Sequence, residues 1–116
     1  MSQEVFIVNL VMHTGTDFTQ TYVLEDTASN SEKELDGFSA CAQMRRYESS
    51  SKTADFLVAF ANDRKTGRIT ISLTSSATTN IKPGKYFYDL LISDAAGTVT
   101  RAVEGTILVK RAVTRI

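Results

Sequence analysis

Apolar residues along this chain alternate with polar ones or gather in short runs rich in Val, Ile, Phe, Tyr and Thr, which is typical of β-strands. Gly, Asn, Asp and Ser separate these runs, and no long segment has helical periodicity. The pattern therefore predicts an all-β chain. We expect its strands near Val5–His13, Phe18–Leu24, Phe38–Tyr47, Phe56–Asn62, Arg68–Thr74, Lys85–Ser93, Val99–Glu104 and Thr106–Val113.

The third of these strands indicates which face is buried. Phe38, Ala40, Ala42 and Met44 share one face, because side chains alternate across a pleat. Strands with one polar side pack as two sheets, so we expect an antiparallel β-sandwich of about seven or eight strands, with closure into a barrel as the alternative. The same alternation recurs in two later sets: Phe56, Val58 and Phe60, and Ile69, Ile71 and Leu73.

The segments between the strands have the composition of turns and loops. Asp63–Gly67 and Asp94–Gly97 are predicted hairpin loops, each ending on a glycine that suits a left-handed backbone. The polar segments Glu25–Glu34 and Glu48–Thr53 are predicted to be mobile surface loops. Ser75–Lys82 lacks strand periodicity and precedes Pro83-Gly84, so a helical turn or crossover is expected there.

Length and charge narrow the class of protein. The 116 residues fit one domain, which we place over residues 1–116. Thirteen basic and thirteen acidic residues give zero formal net charge, so no global field attracts nucleic acid or anionic lipid, although pairs such as Arg45-Arg46 could form a basic stripe. We expect no nucleic-acid partner and no membrane association.

The chain contains one cysteine, so we expect no intrachain disulfide and a reducing compartment. Its start has no basic leader and no evident small-residue cleavage site, which argues against secretion by a signal peptide. The first apolar run, Val5–Met12, is too short to cross a bilayer.

Candidate catalytic residues are few. His13 is the sole histidine, so neither a His-based metal cluster nor a Ser-His-Asp arrangement can be built within one chain. Cys41 lies mid-strand, where a small buried or interface residue is expected instead of a nucleophile. Phosphate-binding and dinucleotide-binding glycine motifs are absent from the sequence. We therefore predict no catalytic, metal or cofactor site.

Some strands are apolar on both faces, which indicates a surface that another protein covers. The alternative is that loops of the same chain cover these faces. Asp89 shares its predicted face with Phe87 and Leu91, and we expect it to make a structural hydrogen bond. The candidate interface residues are Phe6, Val8, Leu10, Phe87, Leu91, Ile107 and Val109.

The segment Gly84-Lys85-Tyr86-Phe87-Tyr88 resembles the corner motif of immunoglobulin-like domains, in which Gly precedes a Tyr by two positions and a Cys follows it by two. Here Tyr88 stands in the place of that cysteine. The resemblance implies that Gly84, Tyr86 and Tyr88 form a structural corner. The ring of Tyr86 would then enter the core, and its hydroxyl would bond to nearby backbone.

Nearly the whole chain resembles small immunoglobulin-like structural proteins of tailed bacteriophages, including cyanophages, and the first domains of some baseplate proteins. The segments that carry this resemblance are Gly15–Phe18, Leu35–Ala40, Ala42–Arg45, Thr66–Thr70, Ile81–Leu90, Gly105–Val109 and Val113–Arg115. The polar insert Glu25–Glu34 departs from the usual tighter turn.

The resemblance implies a non-enzymatic virion protein of the tail or baseplate type, made in the host cytoplasm. Such a protein would pack against other virion proteins or against copies of itself. A β-sandwich module that binds host glycans through loop-end aromatics such as Tyr47 is the alternative, and the sequence carries no specific support for a glycan ligand. An enzyme or nuclease accessory is a third, less supported reading, because no polar cluster can be assembled for it.

Overall fold

The structure is a computed structural model and describes residues 6–26, 31–32, 35, 37–47, 54–62 and 67–114. One short helix, α1 (Ser75–Thr79), accompanies the strands. The strands are β1 (Phe6–Ile7), β2 (Leu10–His13), β3 (Phe18–Val23), β4 (Glu25–Asp26), β5 (Ser31–Glu32), β6 (Ser39–Arg45), β7 (Ala54–Asp55), β8 (Leu57–Phe60), β9 (Arg68–Leu73), β10 (Gly84–Ser93) and β11 (Val99–Lys110).

The strands form two main sheets. The large sheet has the order β1-β11-β10-β6-β7, and β2 also pairs with β11; the small sheet has the order β3-β9-β8. These orders are the G-F-C and B-E-D orders of immunoglobulin domains. The predicted all-β, immunoglobulin-like sandwich is confirmed. One departure is that β1 and β2 pair parallel to β11, whereas the other strand pairs are antiparallel.

The core lies between the two sheets and follows the predicted alternation. Ala42 and Met44 of β6 are buried, and Ser39 and Cys41 on the opposite face are exposed. In β9 every second residue, Ile69, Ile71 and Leu73, is buried. Burial of each such large aliphatic side chain contributes about 1.5–3 kcal/mol to the free energy of unfolding. Buried residues of β6 in the large sheet and of β9 in the small sheet therefore help to hold the two sheets together.

Two strand predictions at the ends of the chain were wrong. The predicted strand Val5–His13 is interrupted at Val8-Asn9 within its described part, and the two predicted strands Val99–Glu104 and Thr106–Val113 are one continuous strand, β11. Both differences have one cause. The Val8 carbonyl lies where a Gly105 side chain would project, so the first strand bulges and the glycine continues the last strand.

The connections agree in part with the sequence. Gly67 and Gly97 have φ of 71° and 90°, as left-handed turn glycines should. Residues 63–66 and 48–53 lie outside the described residues. The insert Glu25–Glu34, predicted as a loop, contains the β4–β5 pairing, because a polar segment can still form a short hairpin ladder. The predicted helical turn is α1, whose N-cap Thr74 accepts a hydrogen bond from the Ala77 amide.

Candidate interaction surface on the large sheet

The outer face of the large sheet, which points away from the core, carries a shallow concavity of about 630 Å³. Strand register brings four side chains into one row across it: Glu104 pairs with Asp89, Asp89 with Gln43, and Gln43 with Asp55. Ile7 of β1 pairs with Glu104 and extends the row to the sheet edge. Five strand positions therefore contribute to a single surface.

Arg101 joins two carboxylates at the centre of this face. Its Nε lies 3.3 Å from Asp89 Oδ2, and its Nη1 lies 3.3 Å from Glu104 Oε2. The register between β10 and β11 shifts between Leu90 and Leu91, and this bulge places Arg101 and Glu104, three residues apart, on the same side. All three groups are partly exposed, so the ion pairs add at most about 1 kcal/mol each and mainly orient the side chains.

A second polar chain lies beside the first. The Gln43 amide donates to Asp55 Oδ1 at 2.7 Å, and Arg45 Nη2 donates to Gln43 Oε1 at 3.0 Å. Positive and negative groups thus alternate across the face, and each orients its neighbour. The expected structural role of Asp89 takes the form of an ion pair with Arg101, and Asp89 does share its face with Phe87 and Leu91.

Exposed apolar side chains surround this polar centre. Ile7 is 72% exposed, Val11 51%, Leu108 43% and Phe87 39%. The amine of Lys85 lies 5.7 Å from the centroid of the Phe87 ring. Apolar side chains exposed together on one face mark it as a candidate protein–protein contact.

The predicted interface residues divide into three groups. Phe87 and Leu91 lie on the outer face. Ile107 and Val109 were assigned to the wrong face, because they are 0% and 2% exposed in the core. The half-buried set Phe6, Val8 and Leu10 also packs against the core. Where both faces of a strand are apolar, alternation alone does not indicate which face is buried. The outward residues of these strands are Ile7, Val11 and Leu108, which are neighbours in sequence of the predicted ones.

The corner residues are arranged as the immunoglobulin resemblance implies. The Tyr86 hydroxyl donates to the Lys82 carbonyl at 2.7 Å, and its ring packs against the core. The Arg46 guanidinium lies 5.5 Å from that ring. Gly84 has φ of 145°, and the same guanidinium occupies the space where a side chain of Gly84 would lie. This corner fixes the start of β10, which carries Phe87 and Asp89.

Tyr88, which stands at the cysteine position of the motif, links three elements. Its hydroxyl donates to the Val8 carbonyl at 2.7 Å and lies 2.8 Å from the Tyr22 hydroxyl of β3. Burial raises the pKa of both phenols, and the hydrogen bond to Tyr88 raises the pKa of Tyr22 further. Sequence reasoning missed Tyr22. The signal was Tyr88 at the position of the motif's cysteine, because the hydroxyl of a buried tyrosine requires a hydrogen-bond partner.

The remaining candidate residues lie apart from one another. His13 of β2, Cys41 of β6 and Tyr47 are all exposed. In the part of the chain that the structure describes, no three His, Cys, Asp or Glu side chains are grouped closely enough to hold a metal ion. None of the described helical segments has the length and apolar character needed to cross a membrane.

No family model matches the chain, and no curated protein matches it in sequence. Solved structures do resemble it. The SrpA adhesin from Streptococcus sanguinis superposes with a TM-score of 0.53 at 12% identity, over 88% of this chain and 54% of that one. An internalin-like protein of Listeria monocytogenes matches with a TM-score of 0.48 at 14% identity, over 91% of this chain and 28% of that one. At these identities the adhesin supports the fold alone.

Proposed function

We propose that this chain is a non-enzymatic structural protein of a bacteriophage particle, of the tail or baseplate type, that packs against other particle proteins through the outer face of its large sheet. The observation that supports packing is the apolar exposure of Ile7, Val11, Phe87 and Leu108 around the charged centre. The virion location is supported by the sequence resemblance. The protein is made in the host cytoplasm and joins the particle during assembly.

The first test is the composition of the particle. Gradient-purified particles from infected cells are analysed by quantitative mass spectrometry, and we expect the chain at a constant ratio to the major tail proteins across preparations. Its presence in the lysate combined with its absence from the particles overturns the proposal.

A second test concerns the face. A tagged copy supplied during infection should enter particles, and a Phe87→Glu, Leu108→Glu copy should not, because two buried charges oppose docking. Leu57→Glu is the matched control, since Leu57 is 63% exposed on the small sheet. Equal incorporation of all three copies excludes the outer face as the packing surface.

Carbohydrate binding is the second candidate function, and the concavity favours it. Phe87 provides an exposed ring, and Asn9, Gln43 and Thr106 line the same space with neutral polar groups. The superposed SrpA protein is named an adhesin. A glycan array probed with the purified chain distinguishes the two functions: saturable binding that Phe87→Ala abolishes supports this candidate, and no saturable binding rejects it.

A further inference from the structure

The outer face has the area that a specific interface requires. The longest strand, β11, has twelve residues, which corresponds to roughly 40 Å of length at ~3.3 Å per residue. Five strand positions at ~4.8 Å spacing give a width of roughly 20 Å. The other strands of the sheet are shorter, with two to ten residues each, so the face covers about 600 Å² for each partner, at the lower end of the range for specific interfaces.

Three successive rows of outward side chains have a complementary order. The middle row contains Phe87 between Thr106 and Arg45. The row on one side of it has a lysine beside two aliphatic residues, and the row on the other side has three carboxylates, one amide and one aliphatic residue. In sheet order these rows are Val11, Leu108 and Lys85, and then Ile7, Glu104, Asp89, Gln43 and Asp55.

The charges of the outer rows are unbalanced in opposite senses. Asp89 and Glu104 share the single guanidinium of Arg101, which leaves one net negative charge. Lys85 forms no ion pair with another described residue. Its amine lies over the Phe87 ring, between the two rows. A second copy, turned end for end, presents each row with the opposite charge.

We propose that the occupant of this face is a second copy of the chain, packed face to face about a two-fold axis that crosses the strands at the Phe87 row. Lys85 of each copy then lies over Asp89 of the other, Leu108 lies over Glu104, Val11 lies over Ile7, and Phe87 meets Phe87. The contact is isologous, so every favourable pair occurs twice. Sheets stacked in this way are ~10 Å apart, which suits side chains of these lengths.

This inference rests on the proposed function, because it names the partner at the same packing face. The first test is solution mass by light scattering after size exclusion, over a concentration series. The wild-type chain should form a dimer. Lys85→Glu and Asp89→Lys should each raise the dissociation constant about tenfold or more, because each places like charges together. An equimolar mixture of the two variants should restore dimers, since both contacts become favourable again.

Arg68→Glu is the matched control, because it makes the same charge change at an exposed position of the small sheet. It should leave the dimer unchanged. A wild-type chain that stays monomeric at all concentrations overturns the inference, and so does a mixture of charge variants that stays monomeric while both variants melt as folded proteins. Equal weakening by Arg68→Glu also overturns it.

A crosslinking experiment keeps the inference testable if Asp89→Lys fails to fold. The exposed native thiol is first removed as Cys41→Ser. Phe87→Cys in that background should be joined to a second copy by a short bis-maleimide, and Leu57→Cys should not, because it lies on the other sheet. Equal crosslinking at both positions refutes the two-fold arrangement.

These results separate the two proposals. A strict monomer that is nevertheless found in purified particles overturns the second-copy inference and leaves the structural function standing. A dimer that is absent from the particles overturns the structural function and leaves the dimer contact standing.

Discussion

The hydroxyls of Tyr22 and Tyr88 meet 2.8 Å apart between the two sheets, at the strands that a disulfide joins in antibody domains. Because Tyr88 has one hydroxyl proton and donates it to the Val8 carbonyl, Tyr22 must donate to the Tyr88 oxygen. The Tyr88 ring also packs against Phe56 in a T-shaped arrangement, with 6.5 Å between the ring centroids. A directed chain of two hydrogen bonds thus replaces a covalent link.

The direction of this chain predicts unequal effects of removing each hydroxyl. Tyr22→Phe deletes one donor and should lower the free energy of unfolding by about 1 kcal/mol. Tyr88→Phe leaves both the Tyr22 hydroxyl and the Val8 carbonyl without this partner and should cost about 2–4 kcal/mol. Urea unfolding of the two variants gives both values. Equal costs, or a larger cost for Tyr22→Phe, contradict the assigned direction.

Alkaline pH should destabilise the fold through the same residues. Both phenols have a pKa raised above the ordinary value by burial, whereas in the unfolded chain they ionise near pH ~10. The stability that they contribute is therefore complete below about pH 10, and above it the unfolded state loses protons first. As the pH rises above ~10, we therefore expect the free energy of unfolding to fall progressively.

Urea unfolding between pH 8 and 11 measures this loss. The decline of the wild-type chain should exceed that of Tyr22→Phe. Identical pH profiles for the two proteins would show that Tyr22 does not contribute.

At the scale of elements, alternation predicted the strands with one apolar face well. Ile69, Ile71 and Leu73 are buried as expected, and so are Ala42 and Met44. It failed for β11, where Ile107, Leu108 and Val109 are all apolar and the inward pair was assigned outward. The Arg101 cluster also escaped prediction, because a bulge, which alternation does not anticipate, places Arg101 and Glu104 on one face.

Gly105 also misled the sequence reading, since glycine more often ends a strand than continues it. Here Val8 occupies the missing side chain's place, its amide donates to the Glu104 carbonyl at 2.9 Å, and Asn9 Oδ1 accepts from the Thr106 amide at 3.1 Å. The Val8-Asn9 interruption between β1 and β2 is therefore itself hydrogen-bonded to β11.

Gly105→Ala should be among the most damaging single substitutions. The added methyl overlaps the Val8 carbonyl, a backbone atom that cannot move alone, and overpacking of this kind costs about 3 kcal/mol. Gly97→Ala is the control: it has φ of 90° and open space around it, so it should cost only about 1–2 kcal/mol from backbone strain.

Thermal unfolding compares the two glycine variants, and amide exchange at Val8 should accelerate only in Gly105→Ala. Normal protection of Val8 in that variant would show that the interruption is not held through this contact.

For the whole molecule, the pairing of β1 and β2 with β11 joins segments almost a hundred residues apart in sequence. Met12 belongs to the core and is 1% exposed, so the first strand closes the sandwich and also covers the edge of β11. An uncovered edge of this length is a site for uncontrolled strand addition.

Deletion of residues 1–13 should therefore lower the melting temperature by more than ~10 °C, since each kcal/mol of lost stability corresponds to about 4–8 °C. The deleted chain should also form higher-order aggregates that light scattering detects. Truncation after Ala112 is the control, because Val113 is 99% exposed. A peptide of residues 1–14 added in trans should restore the melting temperature of the deleted chain. Unaltered melting of that chain would show that the strand is dispensable.

The parallel arrangement of the first and last strands also determines how the domain responds to force. Tension applied at Phe6 and at Lys110 acts along the β2–β11 ladder, in which four consecutive residue pairs from Leu10–Ile107 to His13–Lys110 lie side by side. The strands must slide past each other, so the hydrogen bonds of the ladder bear the load together. An antiparallel pair pulled from its open end would instead release one bond at a time. Pulled along this direction, the sandwich resists as a shear joint instead of unzipping.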